Sequence, residues 1–369
     1  MTNISIYVHI PFCESKCIYC AFSSFVPKNE QIHEYFEVLN SEIKTKSKKH
    51  RSDTVQTIFF GGGTPSVVDS SYIKKTLETI KQNFNLSNDA EISIECNPNS
   101  ATYEKLYEYK KAGFNRISFG VQSLDEDLLL FLNRRHNKDI ALKAIKNAKK
   151  IGFNNISADL LIGLQSQTKN SFLTQIDELV DAGITHISTY MLMIEKHTPL
   201  SAMKNKKDFI MSDDECVELY DDIVEYLNKL GFVRYEISNF SKSGYECKHN
   251  QVYWNMGEYL GFGLAAHSFV FGKRIANTSN FKIYLSQKNY QKSHAVTEQE
   301  KREEYLMLAL RTRDGINLKK YKLMFGKDLL EEKKDEIKEL DNFVEIKGDY
   351  LKIKQTEFGK TNLIILKLI

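Results

Sequence analysis

A chain of 369 residues that is 42% hydrophobic and 27% charged has an ordinary globular composition, which excludes a disordered or fibrous protein and is too long for one small core. Its 51 basic and 48 acidic residues leave a net charge of only +3, so there is no electrostatic case for a nucleic-acid partner. No run of about 18 apolar residues is present to form a transmembrane segment. The start lacks the basic segment and cleavage site of a signal peptide, and six cysteines, three of them crowded between Cys13 and Cys20, fit metal ligation in a reducing cytoplasm better than a secreted disulfide framework.

Taken in chain order, Ser5–Ile10 reads as a strand running into the cysteines. Ile32, Tyr35, Phe36, Leu39 and Ile43 then mark one face of a long helix over 27–47. Thr57–Phe60 and Glu91–Cys96 read as further strands, separated by a helix with Ile73, Leu77 and Ile80 on its face. A rhythm follows: a helical stretch, a glycine, then a β-rich segment. It occurs at Gly113 before Arg116–Val121, Gly152 before Ile156–Leu161, Gly183 before His186–Leu192 and Gly231 before Arg234–Asn239. Alternating strands and helices predict parallel βα units with right-handed crossovers. Six consecutive units end at Leu192, which predicts an α/β fold, a partial (β/α)6 TIM-like barrel. A doubly wound open sheet is the alternative, because sequence does not dictate strand order. After a long helix from about Met211, the stretch Gly244–Gly272 is rich in glycine and aromatics and has little periodicity. Glu298–Arg311 is helical again, and Phe343–Ile346 with Tyr350–Ile353 predicts a hairpin around Lys347-Gly348-Asp349. The expected division is 1–236 for the barrel, 237–292 for a connecting region and 293–369 for a small C-terminal α+β winged-helix-like domain that packs against protein.

The strongest chemical signal is the spacing C-x3-C-x2-C at Cys13, Cys17 and Cys20. Three close thiolates suit an iron–sulfur cluster; on a four-iron cubane they leave one metal corner open, which is what chemistry needs. Zinc would want a fourth ligand at compatible spacing. In a parallel barrel, functional residues sit at the C-terminal strand ends. There the sequence places Gly61-Gly62-Gly63-Thr64-Pro65, then Glu95, then Gln122, with Asp159 on the fifth strand. Glycines let backbone approach a ligand closely. Glu95 or Asp159 can bind an amine or ribose hydroxyls, Gln122 a hydroxyl, and Arg134 a carboxylate, while Tyr7 can stack on a flat ring. Together they fit a ligand with an amino acid end, a ribose and a base.

These residues resemble the radical S-adenosylmethionine superfamily. The segments Tyr7-x-His9-Ile10-Pro11-Phe12-Cys13, Gly61 to Pro65, Gly120-Val121-Gln122-Ser123, Asn133-Arg134-Arg135-His136 and Asp159 to Leu164 resemble its oxygen-independent coproporphyrinogen III oxidase-like family across nearly the whole chain. The resemblance implies that Cys13, Cys17 and Cys20 ligate a [4Fe-4S] cluster. It implies that Gly62, Gly63 and Thr64 line the methionyl end of S-adenosyl-L-methionine, that Glu95 and Arg134 orient its charged groups, that Gln122 and Asp159 meet its ribose, and that Tyr7 lies near both. The decarboxylating oxidases of that family carry another cysteine two residues after the third, where this chain has Phe22, and a long segment before the motif. Both features resemble instead the heme chaperone branch. So does Cys247-Lys248-His249-Asn250-Gln251-Val252-Tyr253-Trp254, a His-Asn-x-x-Tyr-Trp pattern associated there with heme. The resemblance thus implies His249, Tyr253 and Trp254 as heme-binding residues, and acceptor haemoproteins and an electron donor as partners. The alternative it leaves open is radical oxidative decarboxylation of propionate side chains in porphyrin biosynthesis. Where the family has Gly-Leu-Pro-Gly-Gln-Thr, the chain has Gly163-Leu164-Gln165-Ser166-Gln167-Thr168, and a looser loop is expected.

Overall fold

The computed structural model describes residues 2–203 and 209–369. Strands β1 (Asn3–Ile10), β2 (Thr54–Gly62), β3 (Asn85–Cys96), β4 (Arg116–Gln122), β5 (Asn155–Ile162) and β6 (His186–Met191) pair in chain order, each parallel to the next. Sequential order is the signature of a barrel segment and rules out the doubly wound alternative, in which the order reverses. Alternation along each strand separates two environments. Ile4, Ile6, Val8 and Ile10 of β1, with Ile117, Phe119 and Val121 of β4, are buried against the surrounding helices. The other parity, Ser5, Tyr7, His9, Glu91, Glu95, Arg116, Ser118, Asp159 and His186, points inward.

The connecting helices bear out the punctuation. Lys138–Ile151 begins at Asn137, whose side chain accepts the Ile140 N–H, and ends at Gly152 with φ +102°. Its buried face, Ala141, Ala144, Ile145 and Ala148, is small, so the helix approaches the sheet closely.

Beyond β6 the pairing changes. The stretch Arg234–Asn239 does not form another parallel strand. After β7 (Val233–Arg234) the Glu236 carboxylate accepts the Ser238 N–H at 2.8 Å and the Asn239 side chain, the chain reverses, and β8 (Asn239–Ser241) runs antiparallel to β6. Gly244–Gly272, despite its weak periodicity, forms regular elements. It supplies the helix Lys248–Trp254, called the inner helix below, and β9 (Tyr259–Phe262), which joins the other edge parallel to β1. β10 (His267–Val270), β11 (Lys273–Asn277) and β12 (Gln291–Ala295) extend that edge antiparallel. Among the described residues the result is one 12-stranded sheet whose outermost strands, β12 and β7, are not paired with each other. The 237–292 segment shares the first core through Phe240, Leu260, Phe262 and Tyr284.

A second core forms around Tyr305, Leu306, Tyr321, Leu351 and Ile365. There helices pack on a three-stranded antiparallel sheet, β13 (Ile316–Asn317), β15 (Tyr350–Ile353) and β14 (Val344–Lys347), the last two forming the expected hairpin. Arg234 ties it to the barrel, with its guanidinium 3.6 Å from the Phe358 ring centre and bonded to Gln355 at 2.7 Å. Among the described residues, no helix is long and apolar enough to cross a membrane.

Candidate functional site

A cavity of about 480 Å³ opens at the C-terminal ends of the parallel strands. Its wall brings together Cys13, Cys17, Cys20, Gly62, Gly63, Thr64, Glu95, Gln122, Arg134 and Asp159, contributed by the loops after β1, β2 and β4 and by β3, β4 and β5. Of the residues expected at the cosubstrate, Tyr7 alone is absent from this wall. It lies deeper, its hydroxyl bonded to His9 Nδ1 at 3.0 Å and its ring near-parallel to Phe59 and His249.

The cysteine loop is stapled at its base. Phe25 N–H donates to Pro11 at 2.9 Å, Cys13 N–H donates to Phe25 at 3.0 Å, and the Phe12 and Phe25 rings meet edge to face. The glycine turn holds the same base: Gly63 N–H bonds the Ile10 carbonyl at 2.8 Å and Thr64 N–H the Phe12 carbonyl at 2.7 Å. Gly62 N–H goes to Glu95 at 3.1 Å. These three N–H groups therefore brace protein rather than face a ligand. Gly62 has φ +112°, and a Cβ there would sit 2.4 Å from the His9 ring. His9, which sequence reasoning passed over, donates from Nε2 to the Ser23 carbonyl at 2.9 Å while its Nδ1 accepts from Tyr7, fastening the far side of the loop. Its place on the inward parity of β1 was the available signal.

All six cysteines are free thiols. Among the described residues, no three ligating side chains converge tightly enough to share one metal ion. Arg134 donates to Cys17 Sγ at 3.3 Å and to Asn97 Oδ1 at 2.8 Å, and also bonds the Gly120 carbonyl. These bonds tie the Cys17 side chain to the end of β4 and to the residue that follows β3. Arg134 Nε, buried and unpartnered, is the part of the fork left over. Thr64 Oγ1 lies 3.7 Å from Cys13 Sγ.

Two half-buried carboxylates face the same space. Burial, with Asp159 nearby, pushes Glu95 up to about 7, against the opposing pull of the Gly62 N–H and Arg116. Burial raises Asp159 too, opposed by hydrogen bonds from Ser188 and Ser118, the latter at 3.2 Å. A cation brought close to the two would favour their ionised forms. Gln122 has φ +68° at a β-bulge, an uncommon backbone that turns this residue onto the cavity wall. The loop expected to be loose is braced instead: Gln167 accepts from the N–H groups of Gly163 and Leu164 and donates to the Leu161 carbonyl at 2.7 Å.

His249, Tyr253 and Trp254 are not brought to this cavity. His249 is 2% exposed, and its ring lies between the Thr57 hydroxyl at 2.7 Å and the Tyr253 hydroxyl at 2.9 Å. Burial, with Arg116 nearby, lowers its pKa to about 3, so it is neutral. Trp254 is half-buried at the end of the inner helix. Glu91 receives that helix's first N–H groups, those of Lys248 and His249, both at 3.1 Å. Arg116 sits between the two regions; burial acts against its charge, but Cys247, Glu91, Tyr235 and Asp159 more than offset this and raise its pKa. Its inward parity on β4 could have drawn notice to it. Tyr190, Met191 and Met193, also missed, line the cavity from the end of β6.

With this geometry in hand, the comparisons are specific. The Radical SAM superfamily profile matches residues 7–179, and the HemN C-terminal domain profile matches residues 296–357. The heme chaperone HemW of Bacillus subtilis is 35% identical over 332 residues, 88% of each chain. That of Escherichia coli is 34% identical over 72% of this chain and 70% of its own. Among solved structures, coproporphyrinogen III oxidase (HemN) from Escherichia coli, a radical SAM enzyme, superimposes with a TM-score of 0.85, covering 100% of this chain and 90% of that one. At 20% identity, that likeness shows the fold alone.

Proposed function

The chain belongs to the family of the heme chaperone HemW, within the radical SAM superfamily, and on that premise we propose that it binds heme and passes it to acceptor haemoproteins. One observation carries the reading: the 35% identity to a heme chaperone runs through 88% of both chains. Phe22, exposed at the rim where the resembling oxidases have a cysteine, supports it. The proposed setting is the cytoplasm.

The cavity would hold a [4Fe-4S] cluster on Cys13, Cys17 and Cys20, with S-adenosyl-L-methionine beside it. When bound, that pair supplies one-electron reductive chemistry, fed by an electron donor. The chain's own residues divide the remaining work. Arg134 would hold the Cys17 sulfur in position. Glu95 is placed to take up the charge of an amino group, Gln122 and Asp159 to meet hydroxyls, and Gly62 to Thr64 to shape the narrow end. His249, Tyr253 and Trp254 act on heme, in this proposal, only after the inner helix shifts. As an axial ligand His249 must release Thr57 or Tyr253, at a cost of about 1–3 kcal/mol for a buried hydrogen bond.

The test is anaerobic heme titration of the wild type and His249→Ala, each with its iron content verified. Saturable binding weakened by the substitution is expected, and a wild type without saturable binding overturns the proposal. An assay with coproporphyrinogen III separates the oxidase reading; product above a Cys17→Ala control would favour it.

A further inference from the structure

The rim of the cavity carries apolar side chains that the fold leaves uncovered. Phe22 is 70% exposed, Met193 69%, Met191 41% and Tyr190 40%, and all four line the same opening. Single exposed apolar residues are commonplace, but four around one mouth mark a surface that something covers. The opening also carries cations. Lys16 and Arg135 line it, and neither forms an ion pair among the described residues. Lys16 Nζ reaches the Phe22 and Ser24 carbonyls at 3.2 and 3.3 Å, and Arg135 Nε only the Ser15 hydroxyl at 3.4 Å. Among the described residues that line the cavity, the acids are Glu95 and Asp159 of the strand ends and Glu195, next to the methionine segment.

We propose that heme is first received across this mouth, its face on Phe22 and Tyr190, its iron toward the thioethers of Met191 and Met193, and its propionates toward Lys16 and Arg135. This rests on the heme chaperone reading and names the seat. A thioether is a soft axial ligand for heme iron, and a flexible methionine adapts to an arriving plane. The surface combines an apolar plane, a sulfur donor and unpaired cations, and heme joins an apolar disc, a metal centre and two carboxylates. Accessibility separates this seat from His249. Both imidazole nitrogens of His249 are held by hydroxyls inside the barrel, whereas the two sulfurs lie where a ligand arrives without opening it. The seat also sets heme beside the proposed S-adenosylmethionine site.

The experiment is titration with ferrous and ferric heme, under anaerobic conditions, of cluster-reconstituted protein. It is followed by absorption and magnetic circular dichroism. Met191→Leu/Met193→Leu keeps apolar volume and removes both sulfurs. It is expected to abolish the thioether signature and weaken binding about tenfold or more, with unchanged iron content. Lys16→Ala/Arg135→Ala is expected to keep the signature but weaken binding and flatten its salt dependence. If the wild type binds heme and the double leucine variant matches it in spectrum and affinity, this seat is overturned while the chaperone reading stands. If the wild type binds no heme, both fall.

Discussion

The two ends of the barrel interior are lined by the same strands at the same alternate positions, yet they have become different things. Toward the N-terminal ends, polar groups from β2, β3 and β6 are answered by the chain itself. Glu91 receives two N–H groups of the inner helix, His249 bridges Thr57 and Tyr253, and His186 bridges Ser157 and Tyr235 at 2.7 and 2.8 Å. Toward the C-terminal ends, Glu95 and Asp159 keep few partners, Arg134 keeps a bare Nε, and a cavity stands between them. TIM-type interiors are ordinarily filled by branched apolar residues. A polar residue facing inward is therefore a signal, but whether it is structural or functional depends on whether another part of the chain comes to meet it.

Substitutions should split along that line. The largest effect belongs to the upper end: Cys17→Ala should reduce reconstituted four-iron cluster to near zero. The urea midpoint of the apo protein should stay nearly unchanged, within about 0.5 kcal/mol, because the thiol is half-exposed. A large loss of apo stability would erase the distinction. Glu91→Ala strikes the lower end. It strips a buried carboxylate from the inner helix and from the neighbourhood of Arg116, at an expected cost of about 3–5 kcal/mol in apo unfolding. His249→Phe keeps ring volume and loses two buried hydrogen bonds, so about 1–3 kcal/mol is expected by the same measurement, with cluster content per folded molecule retained.

The smallest effect sharpens the contrast through pH. With Glu95 raised to about 7, the group is largely protonated below that pH. Affinity for S-adenosylmethionine should therefore climb as pH rises toward 7, by up to about tenfold per unit, and level off above it. Glu95→Gln should bind about tenfold more weakly at pH 8 and lose this slope in calorimetric titration. In the apo protein the sign is opposite. The folded state holds a proton that the unfolded chain releases from 4.5 upward, so the Glu95 contribution to stability is full below 4.5 and lost as pH rises through about 7. A wild-type binding curve flat from pH 5 to 8 would show that Glu95 does not meet a cation.

What was legible beforehand was local. The cysteine spacing, the six βα units, the helix-ending glycines and the polar residues at strand ends all declare themselves within a few positions, because a thiolate triplet, a two-residue strand period and a left-handed cap are short-range facts. Seven of the eight cosubstrate residues expected from resemblance line one cavity with the three cysteines, because parallel pairing brings the C-terminal strand ends together. The order of the sheet, the arrival of β9 beside β1 and the interior place of His249 were not legible. They rest on pairs such as Thr57 and His249, 192 positions apart, and on Glu91 awaiting a helix 157 residues away. The sequence by itself thus determined the chemistry the chain can hold. Only the tertiary structure decided which inward polar groups are satisfied from within, by packing a helix onto one end of the barrel and leaving the other end free.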